Sequence, residues 1–181
     1  MDFSNMLMQQ LKGKAIEQIT GKIGGDSAAT KMIAAKALPM ILWQLSKNTE
    51  TPEGAESLNN ALNSHLGESN IDTNDGMKIL GHMFGNKDEA IAEVASATWQ
   101  SPEQTAWVMS GLSSMVMEKL WDQKKAASGF GTGDLTKMLS GTGKDANMFA
   151  LLDQDWDGDF DKSDAVKFGM WMLKKKFFGG K

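Results

Sequence analysis

The chain has 181 residues, a hydrophobic fraction of 41%, a charged fraction of 23% and a formal net charge of −4, values ordinary for one soluble domain with a real core, or a core plus a small appendage. It has no cysteine, and every basic residue is lysine, which excludes disulfides, thiolate metal sites and thiol nucleophiles and makes nucleic-acid binding, which leans on the arginine fork, not expected. No run approaches the roughly 20 apolar residues of a membrane span, and Met1-Asp2-Phe3-Ser4-Asn5 lacks the basic and apolar parts of a secretory signal, so a cytoplasmic location is expected.

Strand formers are scarce, with valine only at Val94, Val108, Val116 and Val166, and apolar residues recur at spacings of three and four; both predict an all-α, multihelical bundle. A first helix is expected over 4–23, closed by Gly24-Gly25. Asp26 or Ser27 should cap a second helix reaching Lys47, with Pro39 kinking it or splitting it in two. Thr51-Pro52-Glu53 combines an acceptor, a proline and an acid, and starts a third helix to about Leu66. After a loop over 67–74, Asp75 opens a short helix that stops near Gly85, and another covers about Lys87 to Trp99. Ser101-Pro102-Glu103-Gln104 has the form of a capping box. The helix it opens carries Trp107, Val108, Leu112, Met115, Val116, Leu120 and Trp121 and is expected to be the most buried. Gly129 to Gly133 reads as a flexible break, Asp134 as the cap of a short helix, and Gly141-Thr142-Gly143 as a hinge. The chain thus divides into a helical body over 1–140 and a C-terminal unit over 141–181.

The two halves echo each other at an offset of 75 residues. Ala15-Ile16 falls on Ala90-Ile91, Asp26-Ser27 on Ser101-Pro102, Met40-Ile41-Leu42 on Met115-Val116-Met117, Leu45 on Leu120 and, after a slip of two, Leu58 on Leu135. A duplicated helical unit would produce this pattern, and so would two unrelated amphipathic stretches, since helices mimic one another easily.

The segment with the most specific chemistry runs from Asp153 to Asp164. A calcium ion wants six to eight oxygens, and a twelve-residue loop supplies them from positions 1, 3, 5, 7, 9 and 12. Asp153, Asp155 and Asp157 occupy the first three, Asp159 would offer its backbone carbonyl, Asp161 would bind directly or through water, and Asp164 closes the loop. Gly158 stands at position six, where the chain must turn sharply, and Phe160 at position eight, which usually faces the core. The alternative is a solvated acidic loop, but so many neighbouring carboxylates resist ionising together without a cation, and acidity alone does not place a glycine and a phenylalanine at those positions. The stretch Glu68, Asn70, Asp72, Asn74 and Asp75 is also acidic, yet its spacing is not that of a loop; it reads as a capped connector.

The Asp153–Asp164 segment resembles the EF-hand and, through its closing aspartate, the loops of bacterial dockerin-like repeats. Dockerins carry two loops and are exported, whereas this chain has one loop and no signal of that kind, so the resemblance does not carry over a cohesin-type partner. The stretch from residue 1 to about residue 160 resembles the YidB-like family of uncharacterised bacterial proteins (domain of unknown function 937) in Ile23-Gly24-Gly25-Asp26, Ala37-Leu38-Pro39-Met40-Ile41-Leu42, Thr51-Pro52-Glu53-Gly54-Ala55-Glu56-Ser57-Leu58, Ile79-Leu80-Gly81-His82-Met83-Phe84-Gly85 and Leu151-Leu152-Asp153. That resemblance implies a multihelical fold and no particular activity.

Beyond the loop, Val166, Met170, Leu173 and Phe177 share a helical face, with Trp171, Lys174, Lys175, Lys176 and Phe178 beside it. A basic amphipathic segment suits a partner groove or an anionic membrane; packing on the body, with the lysines serving a helix C-terminus, is the simpler reading. His65 and His82 are expected at the surface or in caps, and Gly129-Phe130-Gly131-Thr132-Gly133 lacks the strand and the Lys-Ser/Thr of a phosphate loop. No nucleophile–base pair is recognisable. The sequence therefore points to a non-enzymatic calcium-binding protein, either a sensor or a calcium-stabilised scaffold for a protein partner. The rivals are a structural, self-associating helical protein and, last, an enzyme of another type.

Overall fold

The computed structural model describes residues 14–23, 26–64, 73–127 and 129–140. Every regular element among them is a helix: α1 (Lys14–Ile23), α2 (Ser27–Asn48), α3 (Pro52–Ser64), α4 (Thr73–Phe84), α5 (Lys87–Thr98), α6 (Pro102–Ala126) and α7 over 132–140. The all-α bundle expected from composition and periodicity is the fold observed.

The helix starts follow the local chemistry. Asp26 caps α2, its carboxylate accepting from the Ala28 amide at 3.1 Å. The Thr51 hydroxyl accepts from the Gly54 amide at 3.2 Å at the start of α3, and Ser101 accepts from the Gln104 amide at 3.2 Å at the start of α6. Each satisfies one of the amides a first turn leaves orphaned. Three expectations need correction. Pro39 does not split α2, which is continuous through it. The helix bond lost at its nitrogen, worth about 3 kcal/mol with the ring clash, is offset by burial of Leu38, Ile41 and Leu42 beside it at about 1.5–3 kcal/mol each. Asp134 is not the cap of α7 but lies within its first turn, where its carboxylate accepts from the Gly131 amide at 3.0 Å. Trp107, expected inside, is 41% exposed.

The core is one cluster to which every helix contributes, from Ile19 in α1 to Leu135 and Leu139 in α7. Helix α6 is its axis and touches each of α1 to α5. Its longest contact is with α4, made close by Gly76: a Cβ there would collide with the carbonyl of Ser110.

The two halves share one plan. The order short helix, long helix, short helix appears as α1–α2–α3 and again as α5–α6–α7, with α4 between. At the offset of 75, Thr30, Ile33, Ala34, Ala37, Leu38, Ile41, Leu42 and Leu45 in α2 fall on Thr105, Val108, Met109, Leu112, Ser113, Val116, Met117 and Leu120 in α6, and both members of all eight pairs are buried. Leu58 and Leu62 in α3 fall, after the slip of two, on Leu135 and Leu139, again all buried. Unrelated amphipathic helices would share a period but need not share its phase along so many turns.

The halves are also crossed. Helix α1 packs on α6 as well as on its own α2, and α5 packs on α2 as well as on α6. At the far ends of the long helices, Lys124 of α6 donates to Asn59 and Asn63 of α3 at 2.5 and 2.6 Å. Thr136 of α7 in turn donates to the carbonyl of Thr49, at the end of α2, at 3.3 Å. Thr49 and Lys124 are 75 apart, Asn59 and Thr136 77 apart: each half ties its third helix to the other half's long helix.

Candidate functional site

The calcium-loop residues Asp153, Asp155, Asp157, Asp159, Asp161 and Asp164, and the segment from Trp171 through Lys174, Lys175, Lys176, Phe177 and Phe178, lie outside the described residues, as does His65. Among the described residues no three histidine, cysteine, aspartate or glutamate side chains gather in a way that would hold a metal ion, and no helix is long and apolar enough to cross a membrane. His82 is exposed on α4, and Asp75 lies in the first turn of that helix.

What the fold does build is a cleft of about 500 Å³ where the N-termini of the two long helices meet. Its lining is paired by the repeat: Asp26 with Ser101, Ala28 with Glu103, Ala29 with Gln104, and Met32 with Trp107, each 75 residues apart. Met32 and Trp107 are 40% and 41% exposed, large apolar side chains one turn into each helix. With α2 and α6 both starting here and both tied at their far ends by α3 and α7, the helices run in the same direction.

Helix phase explains why both side chains face outward. At 100° per residue, Met32 and Trp107 point roughly 120° away from the midpoint of the buried Ile33 and Ala37 and of the buried Val108 and Leu112. That signal was present in the sequence, and the high apolarity of Trp107 concealed it. Nothing in the sequence indicated that two distant helix starts would meet.

A second tryptophan lies next to the cleft residues in the chain. Trp99 closes α5 in the left-handed conformation, φ 56° and ψ 30°, and is 91% exposed, directly before the cleft residues Gln100 and Ser101. A bulky residue with positive φ is disfavoured by about 1–2 kcal/mol, and the residue 75 positions earlier is Gly24, the type that such a helix end ordinarily takes.

Two carboxylates, Asp26 and Glu103, line the cleft and no lysine does. Asp26 is committed to its cap, and each helix start adds a partial positive charge of about one half, which offsets part of the two carboxylates' charge. The arrangement offers the exposed Met32 and Trp107 as surface for contact.

An all-α bundle of two crossed helical units, with an aromatic-lipped cleft between their long helices, is the class of protein that fold and site define. The chain belongs to a family described as bacterial protein of unknown function (DUF937), whose model matches residues 5–123 and again 88–181. Two overlapping matches to one family model accord with the repeated plan, and the second runs across the boundary at 140 and 141 drawn from the sequence. Neither a curated protein nor a solved structure matches the chain.

Proposed function

We propose that this protein is a non-enzymatic, calcium-binding helical module, a sensor or a calcium-stabilised scaffold whose body engages a protein partner. The observation that carries the reading is the spacing Asp153-x-Asp155-x-Asp157-Gly158-Asp159-Phe160-Asp161-x-x-Asp164, which supplies oxygens at each ligand position of a twelve-residue loop and a glycine at its turn. Asp164 is shorter than the glutamate usual at the last position, and one unpaired loop is expected to bind weakly to moderately, on the order of 10⁻⁶ to 10⁻³ M. The exposure of Met32, Trp99 and Trp107 supports a role in contact with another surface.

Terbium luminescence tests the reading directly. Trp156, at the fourth loop position, should sensitise bound terbium, calcium should compete the signal away, and Asp153→Asn with Asp157→Asn should abolish it. Purified protein giving no sensitised emission, together with no heat on calcium titration, would refute calcium binding. The same exposed aromatics favour a second reading, a structural protein that associates with itself. Light scattering separates the two: oligomers unaffected by calcium support the structural protein, and oligomers that form or dissolve with calcium support the sensor.

A further inference from the structure

We propose that the cleft between the starts of α2 and α6 is the seat of this chain's own C-terminal segment, residues 166–178. Three observations meet on it. The first is the lip: two large apolar side chains, Met32 and Trp107, stand exposed in the lining of one hollow of about 500 Å³, and the exposed Trp99, held in a strained backbone conformation, directly precedes the lining residues Gln100 and Ser101 in the chain. An amphipathic segment docks by placing apolar anchors at spacings of three and four into such a groove, and Val166, Met170, Leu173 and Phe177 have that spacing.

The second observation is charge. Residues 165–181 hold five lysines and no acid, whereas residues 1–140 carry −4 and residues 141–164 carry −5. At the cleft, Asp26 and Glu103 are unaccompanied by any lysine in the lining. A segment of charge +5 is drawn to a body, residues 1–140, of charge −4, and Lys174, Lys175 and Lys176 would lie over the acidic border while the apolar anchors enter.

The third is reach. Helix α7 ends at residue 140 near the far end of α2, to which Thr136 is bonded. The cleft lies one helix length away, about 33 Å for the 22 residues of α2. Residues 141–165 span up to about 80 Å when extended, ample even with the twelve-residue loop folded compactly. Because that loop directly precedes residue 166, the calcium reading, if it holds, places the cation where it would control docking; the docking itself rests on the cleft and the segment alone.

The absence of cysteine makes the test clean in the full-length chain. Ala28→Cys, exposed at the cleft, is paired with Gly179→Cys and treated with a short bismaleimide at low protein concentration. The control pairs Glu56→Cys, exposed on α3, with the same Gly179→Cys. Docking predicts intramolecular cross-linking at least tenfold faster for the cleft pair, falling to the control rate when Trp107→Ala or the triple change of Lys174, Lys175 and Lys176 to Gln is added. Equal rates for the two pairs would mean an unseated segment, and cross-linked dimers in place of monomers would mean that a second copy fills the cleft; either outcome overturns the proposal. Repeating the reaction in calcium and in chelator separates the two readings. A tenfold excess unchanged by calcium retains the docking and removes calcium control, whereas failed docking alongside sensitised terbium emission retains the calcium loop alone.

Discussion

The long helices α2 and α6 agree where they are buried and differ where they are not. Eight pairs of positions share burial at the offset of 75, yet on the outer side alanine and methionine at 28 and 32 correspond to glutamate and tryptophan at 103 and 107. The inner face is constrained by close packing, where a lost or added methylene is felt; the outer face is free to diverge in chemistry. Polar detail has diverged even inside. The Thr30 hydroxyl donates to the Asp26 carbonyl at 2.9 Å, whereas that of Thr105 has no partner among the described residues. Two copies of one packing scheme thus carry different surfaces, and the cleft lies where those surfaces meet.

The largest test of that equivalence is in the core. Leu45→Ala and Leu120→Ala remove corresponding side chains that are both buried, and each should cost about 2–5 kcal/mol. Denaturant unfolding should give similar losses if the halves share one core, and a shared cooperative transition rather than two. A loss confined to one site, or a transition that separates into two steps, would break the comparison.

A smaller effect, of opposite sign, is expected where the halves differ most. Trp99→Gly makes the end of α5 like the sequence at Gly24 and relieves a positive φ, so stability should rise by up to about 1 kcal/mol, read as an increase in melting temperature. A fall instead would mean that Trp99 is held by packing.

The smallest effect concerns charge. Lys119 pairs with Asp122 at 3.0 Å and Glu118 at 3.5 Å, where the first half has Gln44 donating to Asn48 at 2.9 Å. Burial opposes the lysine's charge, but the Asp122 hydrogen bond and the two carboxylates outweigh it and hold its pKa above the usual 10.5. A raised pKa contributes stability that is present below 10.5 and is lost as pH rises through the folded value. Lys119→Gln should therefore cost a few tenths of a kcal/mol at neutral pH, the pair being partly exposed, and the difference from the parent should shrink in alkaline unfolding measurements. A constant difference would assign the effect to packing.

Much of this was legible in order along the chain. Asp26, Thr51-Pro52 and Ser101-Pro102 marked three helix starts correctly because a cap is a local bargain between one side chain and the amides next to it. The offset of 75 was visible in the sequence, but its meaning was not, because periodicity alone cannot separate duplication from mimicry. The burial of both members of each pair and the reciprocal ties of Lys124 and Thr136 supply what periodicity lacks. Of the two outcomes expected at Pro39, a kink or a split, the split does not occur, because a propensity counts the lost hydrogen bond without the burial on either side. Trp107 was misread as core because residue type outweighed phase.

By itself the sequence determined that the chain is helical, where its helices begin, and that Asp153 to Asp164 has the spacing of a calcium loop, since each depends on neighbours within a few turns. Only the tertiary structure decided which helices touch, that the halves cross over one another, and that Met32 and Trp107 line a common cleft. Those relations join residues tens of positions apart, and they are fixed by the burial of whole helix faces against each other rather than by any local preference.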